Sequence, residues 1–132
     1  MTIVAVCSII RKNNKILITQ RSEDDVYPNL WDLPGGQLNH GEDVIIGVKR
    51  EIKEECALDV FVLYPIDVAS KIFGGKHIIL ITYLSDYKSG EIKLSKEHQN
   101  FKWIYPRTAA KMKNLTSLTK HAINAYLKSL ST

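Results

Sequence analysis

The stretch that decides the fold is GQLNHGEDVIIGVKREIKEECAL, residues 36–58. From Val44 to Cys56 its apolar residues recur at helical spacing. At 100° per residue Val44, Ile45, Val48, Ile52 and Cys56 fall within an arc of about 120°, wide enough to form a core-facing stripe. Measured from Val44, Glu51 and Glu55 lie at about −20° and +20°, and Glu54 at about −80°. Two of the three carboxylates therefore border the buried stripe. Gly47, at about −60°, is expected to leave open space beside them, at a helix-propensity cost of roughly 1 kcal/mol against alanine.

Carboxylates three and four residues apart on one helix repel by roughly 0.2 to 0.5 kcal/mol per pair, so something positive must offset them. Two readings are open. One is a hard divalent cation such as Mg²⁺, which takes oxygen ligands from a few carboxylates and from substrate phosphates and keeps water elsewhere. The other is a solvated acidic face with Arg50 and Lys53 as surface partners. Residues 42–55 carry five acids against three bases, while the whole chain has a net charge of +4. An acidic cluster in a basic surround suits a bound cation with a polyanionic substrate, and is equally compatible with weak adhesion to nucleic acid.

Outward from this stretch, 132 residues suffice for one domain (1–132) and leave no room for a separate regulatory one. No uncharged apolar run approaches the roughly 20 residues of a membrane span. The apolar start, Met1 to Ile10, runs into Arg11-Lys12-Asn13-Asn14-Lys15 with neither a basic leader nor a small-residue cleavage site, and reads as a buried strand of a cytoplasmic protein. Cys7 and Cys56 have no metal-type spacing and read as core thiols. Residues 2–10 and 15–20, rich in Val, Ile and Leu, predict two strands, and residues 58–67 and 76–87 predict two more that pair, with Gly74-Gly75 as a turn. A short strand ends at Phe101-Lys102-Trp103-Ile104, stopped by Pro106. A last helix starts near Ser117, read as its N-cap, with Leu118, Ala122, Ile123, Tyr126 and Leu127 on one face. Helices interspersed among mixed strands imply an α/β sandwich.

The spacing Gly36, five residues, Glu42, seven residues, then Arg50-Glu51-Ile52-Lys53-Glu54-Glu55-Cys56-Ala57-Leu58 resembles the Nudix box of the nucleoside diphosphate-linked hydrolases. The one departure is Ala57, where the family has glycine. Glycine suits a left-handed residue closing the helix, so Ala57 must accept strain of about 1 kcal/mol or close the helix differently. The resemblance covers nearly the whole chain and is nearest to the MutT-like branch, through Val4-Ala5-Val6, Ile18-Thr19-Gln20-Arg21, Leu33-Pro34-Gly35-Gly36, Phe73, His77-Ile78, and Glu97 with Trp103.

That resemblance implies an α/β/α sandwich around a mixed β-sheet, and Mg²⁺-dependent hydrolysis of a nucleoside triphosphate, such as an oxidised purine one, to the monophosphate and pyrophosphate. Mn²⁺ is the alternative metal. It implies metal ligation by the Gly35 carbonyl and the carboxylates of Glu54, Glu55 and Glu97. Glu51, held by Arg50, is implied as general base, with Glu97 the alternative. Glu42 would support the loop and helix from behind. Arg21 resembles a phosphate-contacting arginine of the branch, Phe73 and Ile78 fall at substrate-binding positions, and Asn114 is the nearest counterpart of a base-reading asparagine, or else a turn residue.

The histidines, His40, His77, His98 and His121, share no ligand spacing and read as structural or exposed. Trp31 and Trp103 read as core. The proline that marks ADP-ribose enzymes and the tyrosine that marks dinucleoside polyphosphate enzymes are replaced by Phe73 and by Gly74-Gly75-Lys76, which favours small triphosphates. The competing readings are hydrolysis of another nucleoside diphosphate-linked compound such as ADP-ribose, and a non-catalytic nucleotide-binding module. The expected partner is a small nucleotide, with no nucleic acid and no membrane, in a monomer or homodimer.

Overall fold

In the computed structural model, which describes residues 1–131, the apolar opening becomes strand β1 (Thr2–Lys12), central in a seven-stranded mixed sheet. Asn13 and Asn14 turn the chain at positive φ (53° and 65°), a conformation asparagine tolerates, into antiparallel β2 (Lys15–Arg21). There follow β3 (Trp31–Asp32), β4 (Gly35–Gln37), α1 (Val44–Cys56), β5 (Asp59–Phe73), β6 (Lys76–Ser89), β7 (His98–Ile104), α2 (Pro106–Ala110) and α3 (Ser117–Ser129). The strand order is β3-β2-β1-β6-β5, with β4 paired to β1 and β7 to β2. The pairing of β1 with β6 is parallel, from Thr2 opposite His77 to Arg11 opposite Asp86, and every other pairing between these strands is antiparallel.

Alternation along the central strands sorts the core into two layers. Val6, Ile10 and Leu17 face α1 and pack with Val48, Ile52 and Cys56. Their neighbours Cys7, Ile9, Ile16 and Ile18 face the other way and pack with Ala109 of α2 and with Ala122, Ile123 and Tyr126 of α3. The result is the expected α/β/α sandwich. Ile9, Ile18, Ile52 and Ile123 are fully buried, and truncating one of these to alanine costs about 2–5 kcal/mol. Both cysteines are free and buried, and burial pushes each thiol up to about 12, which makes them inert core groups.

Several local expectations are corrected. Strand β5 does not stop at Asp67 but runs to Phe73, because the hairpin turn lies at Gly74 and Gly75, both at positive φ. Pro106 ends β7's extension and also opens the short helix α2, where its missing N–H is harmless at the first turn. The cap of α3 is Thr116, whose Oγ1 accepts from the Thr119 amide at 3.4 Å; Ser117 is the first helical residue. Ile45 is 37% exposed, outside the buried stripe that Val48, Ile52 and Cys56 form. Trp31 is core as expected, and Trp103 packs partly buried against the α1 layer.

Strand β5 is one edge of the sheet, and its outer side chains Phe61, Tyr64, Val68 and Ile72 are exposed. Its pairing with β6 shifts register at three places, between Asp59 and Val60, Val62 and Tyr64, and Pro65 and Asp67. Among the described residues no helix is long and apolar enough to cross a membrane.

Candidate active site

Helix α1 starts at Asp43, whose carboxylate accepts from the Ile46 amide at 3.2 Å, and ends at Ala57 with φ 61° and ψ 26°. The missing glycine therefore does not reroute the helix: alanine takes the left-handed conformation, and its N–H donates to the Lys53 carbonyl at 2.9 Å. Between these ends Arg50 uses all five guanidinium N–H groups. Nε donates to Glu42 Oε2 (2.6 Å), Nη2 to Glu42 Oε1 (2.9 Å) and the Gln37 carbonyl (3.1 Å), and Nη1 to Glu51 Oε1 (2.8 Å) and Glu54 Oε2 (3.1 Å). A planar fork with this many donors is what arginine supplies and lysine cannot. Arg50 and the Asn39 amide hold the Glu42 carboxyl down at about 2.

Glu51 is 8% exposed, and burial pushes its carboxyl above the ordinary value, against the opposing pull of Arg50. It lies directly over Gly36, where any Cβ would collide with its carboxylate. Gly35 is equally constrained, since a Cβ there would strike the Val6 carbonyl across the β1–β4 pairing. Gly47 differs from its expected role. A Cβ there would meet the Leu38 side chain and the Glu42 carboxylate, so these groups fill the space that the wheel left open.

One turn on, Glu55 is buried, and burial alone would raise its pKa. Hydrogen bonds from His98, Glu97 and Ser95 outweigh that and hold it below the usual carboxylate range. Ser95 Oγ donates to Glu55 Oε2 at 3.0 Å, and His98 bridges Glu55 Oε2 through Nδ1 (2.9 Å) and Asp32 Oδ1 through Nε2 (3.0 Å). Burial opposes a charged ring at His98, but the two carboxylates prevail and lift its pKa to about 9, so both ring nitrogens donate at neutral pH. The Glu97 carboxyl meets that of Glu55 in a hydrogen bond and is raised by it. Sequence reasoning missed His98 and Asp32. His98 has partners 43 and 66 residues away in the chain, and its only local signal is its place beside Glu97.

Among the described residues no three histidine, cysteine, aspartate or glutamate side chains already converge as a metal cage. The donor set nevertheless fits a hard cation. Glu51 and Glu55 are buried on one helix face, Glu54 is beside them at Arg50, and the nearness of Glu55 raises the Glu97 carboxyl, a repulsion that a divalent cation would relieve.

Beside Gly35 and Gly36 opens a cavity of about 470 Å³ whose walls include Val6, Arg21, Tyr27, Phe73, Ile78 and Leu118. Three expected substrate-binding residues, Arg21, Phe73 and Ile78, are thus brought together. The Arg21 fork is bidentate on Asp25 (2.9 and 3.0 Å) and also donates to Asp32 (2.9 Å), so most of its donors are committed inside the protein. Asn114 is exposed and outside the lining, whose last segment is Leu115 to Thr119; its carbonyl accepts from the Trp31 amide at 2.8 Å, as a turn residue's would. A larger cavity of about 920 Å³ lies at the far end of β1, around Arg11, Tyr105, Arg107 and Tyr126. Its one carboxylate, Asp86, is paired with Arg11, whereas Glu51 lies against Gly36.

The model of the NUDIX domain matches residues 1–126. The chain belongs to the NUDIX family. Over 118 residues, 80% of this chain and 83% of the relative, it is 33% identical to "Nucleoside triphosphatase NudI" of Escherichia fergusonii. Over 100 residues, 76% of this chain and 75% of the relative, it is 35% identical to "8-oxo-dGTP diphosphatase" of Buchnera aphidicola subsp. Schizaphis graminum. Its fold is similar to that of the MutT protein from Methanosarcina mazei Go1, with a TM-score of 0.91, 26% identity, and 99% and 96% of the two chains covered. In this NUDIX chain, residues 36–58 are the segment that brings Gly36, Arg50, Glu51 and Glu55 together.

Proposed function

We propose that this protein hydrolyses a nucleoside triphosphate between the α and β phosphates, releasing the nucleoside monophosphate and pyrophosphate. The observation that carries the reading is Glu51, a buried carboxyl with a raised pKa, pinned by Arg50 over Gly36, a residue that lines a largely apolar cavity. The names of its relatives, a nucleoside triphosphatase and an 8-oxo-dGTP diphosphatase, support the same chemistry.

In this reading Glu54, Glu55, Glu97 and the Gly35 carbonyl would hold Mg²⁺, or Mn²⁺ in its place, and the bound ion would offset phosphate charge and acidify a water. Glu51 takes the proton of the attacking water as the new P–O bond forms and the bridging P–O bond breaks. Its raised pKa makes it a better base than a solvated glutamate, and Arg50 keeps the accepting oxygen in place. No covalent nucleophile is needed, because phosphoryl transfer asks for position and charge. Asp32 and the charged His98 ring brace Glu55. The protein is proposed to act in the cytoplasm as a monomer or homodimer.

The test is a panel of canonical and oxidised nucleoside triphosphates with Mg²⁺, scored for pyrophosphate against orthophosphate. Pyrophosphate as the first product is expected; orthophosphate first, or ADP-ribose preferred over every triphosphate, refutes the proposal. In ¹⁸O-labelled water, label in pyrophosphate reports attack at the β phosphorus and label in the monophosphate reports attack at the α phosphorus.

A further inference from the structure

The cavity beside Gly36 has few polar groups free to read a base. The Cys7 thiol is hydrogen-bonded to Thr82 Oγ1 at 3.2 Å. Thr116 and Thr119 are bonded to each other at 2.7 Å in the cap of α3. Asp32 accepts from Thr19, Arg21 and His98, so both its oxygens are occupied. Arg21 is forked on Asp25 and Asp32, whose carboxylates take three of its five N–H groups and offset its charge.

What is left is the wall where β5 meets α3. There Lys71 Nζ donates to Ser117 Oγ at 3.2 Å, across 46 residues of chain. The same ammonium lies 5.8 Å from the centroid of the Tyr27 ring, and Tyr27 in turn meets Phe73 with centroids 5.0 Å apart and planes tilted by 45°. A flat aromatic ligand packed against the Tyr27–Phe73 pair would present its edge to this lysine. With one N–H on Ser117, Lys71 keeps two to give, and Ser117, already accepting, has its own hydrogen to give. The Tyr27 hydroxyl can donate or accept and so does not discriminate.

We infer that Lys71, positioned by Ser117, is a specificity-determining residue that selects bases presenting a carbonyl oxygen over those presenting an amino group at the same ring position. This deepens the proposed triphosphate reading and rests on it. The Ser117 and Tyr27 hydroxyls can serve either group, but the Lys71 ammonium, which has no lone pair, satisfies a carbonyl and repels the N–H dipoles of an amino group. A hydrogen bond to a charged group is worth about 10- to 100-fold in kcat/KM.

The experiment compares inosine triphosphate with ATP, which differ by carbonyl against amino at position 6, and UTP with CTP, which differ likewise at position 4. The ratio of kcat/KM within each pair cancels any general loss of activity in a variant. The wild-type protein is expected to favour the carbonyl member by about 10-fold or more in at least one pair. Lys71→Met is expected to bring that ratio close to one, Lys71→Arg to keep it, and Ser117→Ala to reduce it in part. Because Lys71 is exposed, these variants are expected to fold, which a thermal melt checks. A wild-type ratio near one in both pairs, or an unchanged ratio in Lys71→Met, overturns the inference and leaves the triphosphate reading standing. Failure to hydrolyse any triphosphate overturns both.

Discussion

Replacing Ala57 by glycine is expected to make the protein more stable although it removes a methyl group. Ala57 closes α1 at φ 61°, where an L-residue with a Cβ is strained by about 1–2 kcal/mol. Glycine removes that strain but has a freer unfolded chain, which takes back about 0.4–1 kcal/mol. The net gain is about 0.5–1 kcal/mol. With an unfolding entropy of about 2.1 cal/mol/K per residue, that corresponds to a rise of about 2–4 °C in Tm for a chain of this size. Calorimetry on the two proteins side by side would resolve it. Ala57→Val, whose branched Cβ fits the left-handed region worse still, is expected to lower Tm. An equal or lower Tm for Ala57→Gly would show that the left-handed end carries no strain and refute the reasoning.

Glu51→Gln is expected to lower kcat by about 10² to 10⁴ while metal affinity, followed by titration calorimetry, is largely kept; wild-type turnover would move the base to Glu97. Gly36→Ala drives a methyl group into the Glu51 carboxylate, and displacing a base by about 1 Å can cost on the order of 10²-fold, so kcat should fall more than KM rises. Glu42 has a folded pKa of about 2 against an ordinary 4.5, so it contributes stability above about pH 4.5 that is lost as pH falls toward 2. The Tm advantage of wild type over Glu42→Gln should accordingly shrink between pH 6 and pH 3, and a constant difference would show that Glu42 adds nothing through its charge.

Local rules made much of this molecule legible. The bounds of α1, its buried Glu51 and Glu55, the pairing of β5 with β6 and the NUDIX membership all follow from spacing within short windows. What stayed hidden depends on groups that meet only in space. The ring of His98 is fixed by Asp32 and Glu55, which no sequence window holds together. Gly47 looked like a gap because a helical wheel does not show Leu38 folding back over it. Arg21, read as a phosphate-contacting arginine, also gives three of its five N–H groups to Asp25 and Asp32. Ile45 is apolar and correctly phased, yet it falls at the rim of the helix–sheet contact and is exposed.

The exposed edge strand β5 bears on how this protein stays in solution. Fifteen residues of strand with Phe61, Tyr64, Val68 and Ile72 outward would ordinarily template the addition of another chain, and through it a growing cross-strand ribbon. Three register shifts break the ladder between Asp59 and Asp67 into short runs, and Pro65, between two of them, has no amide hydrogen to offer a newcomer. Over residues 59–67 an incoming strand would find only a few consecutive partners before losing step, whereas Asp67 to Phe73 pair with β6 in an unbroken run of seven. The interruptions that make the first half of β5 irregular as a hairpin arm also make that half a poor seed for aggregation.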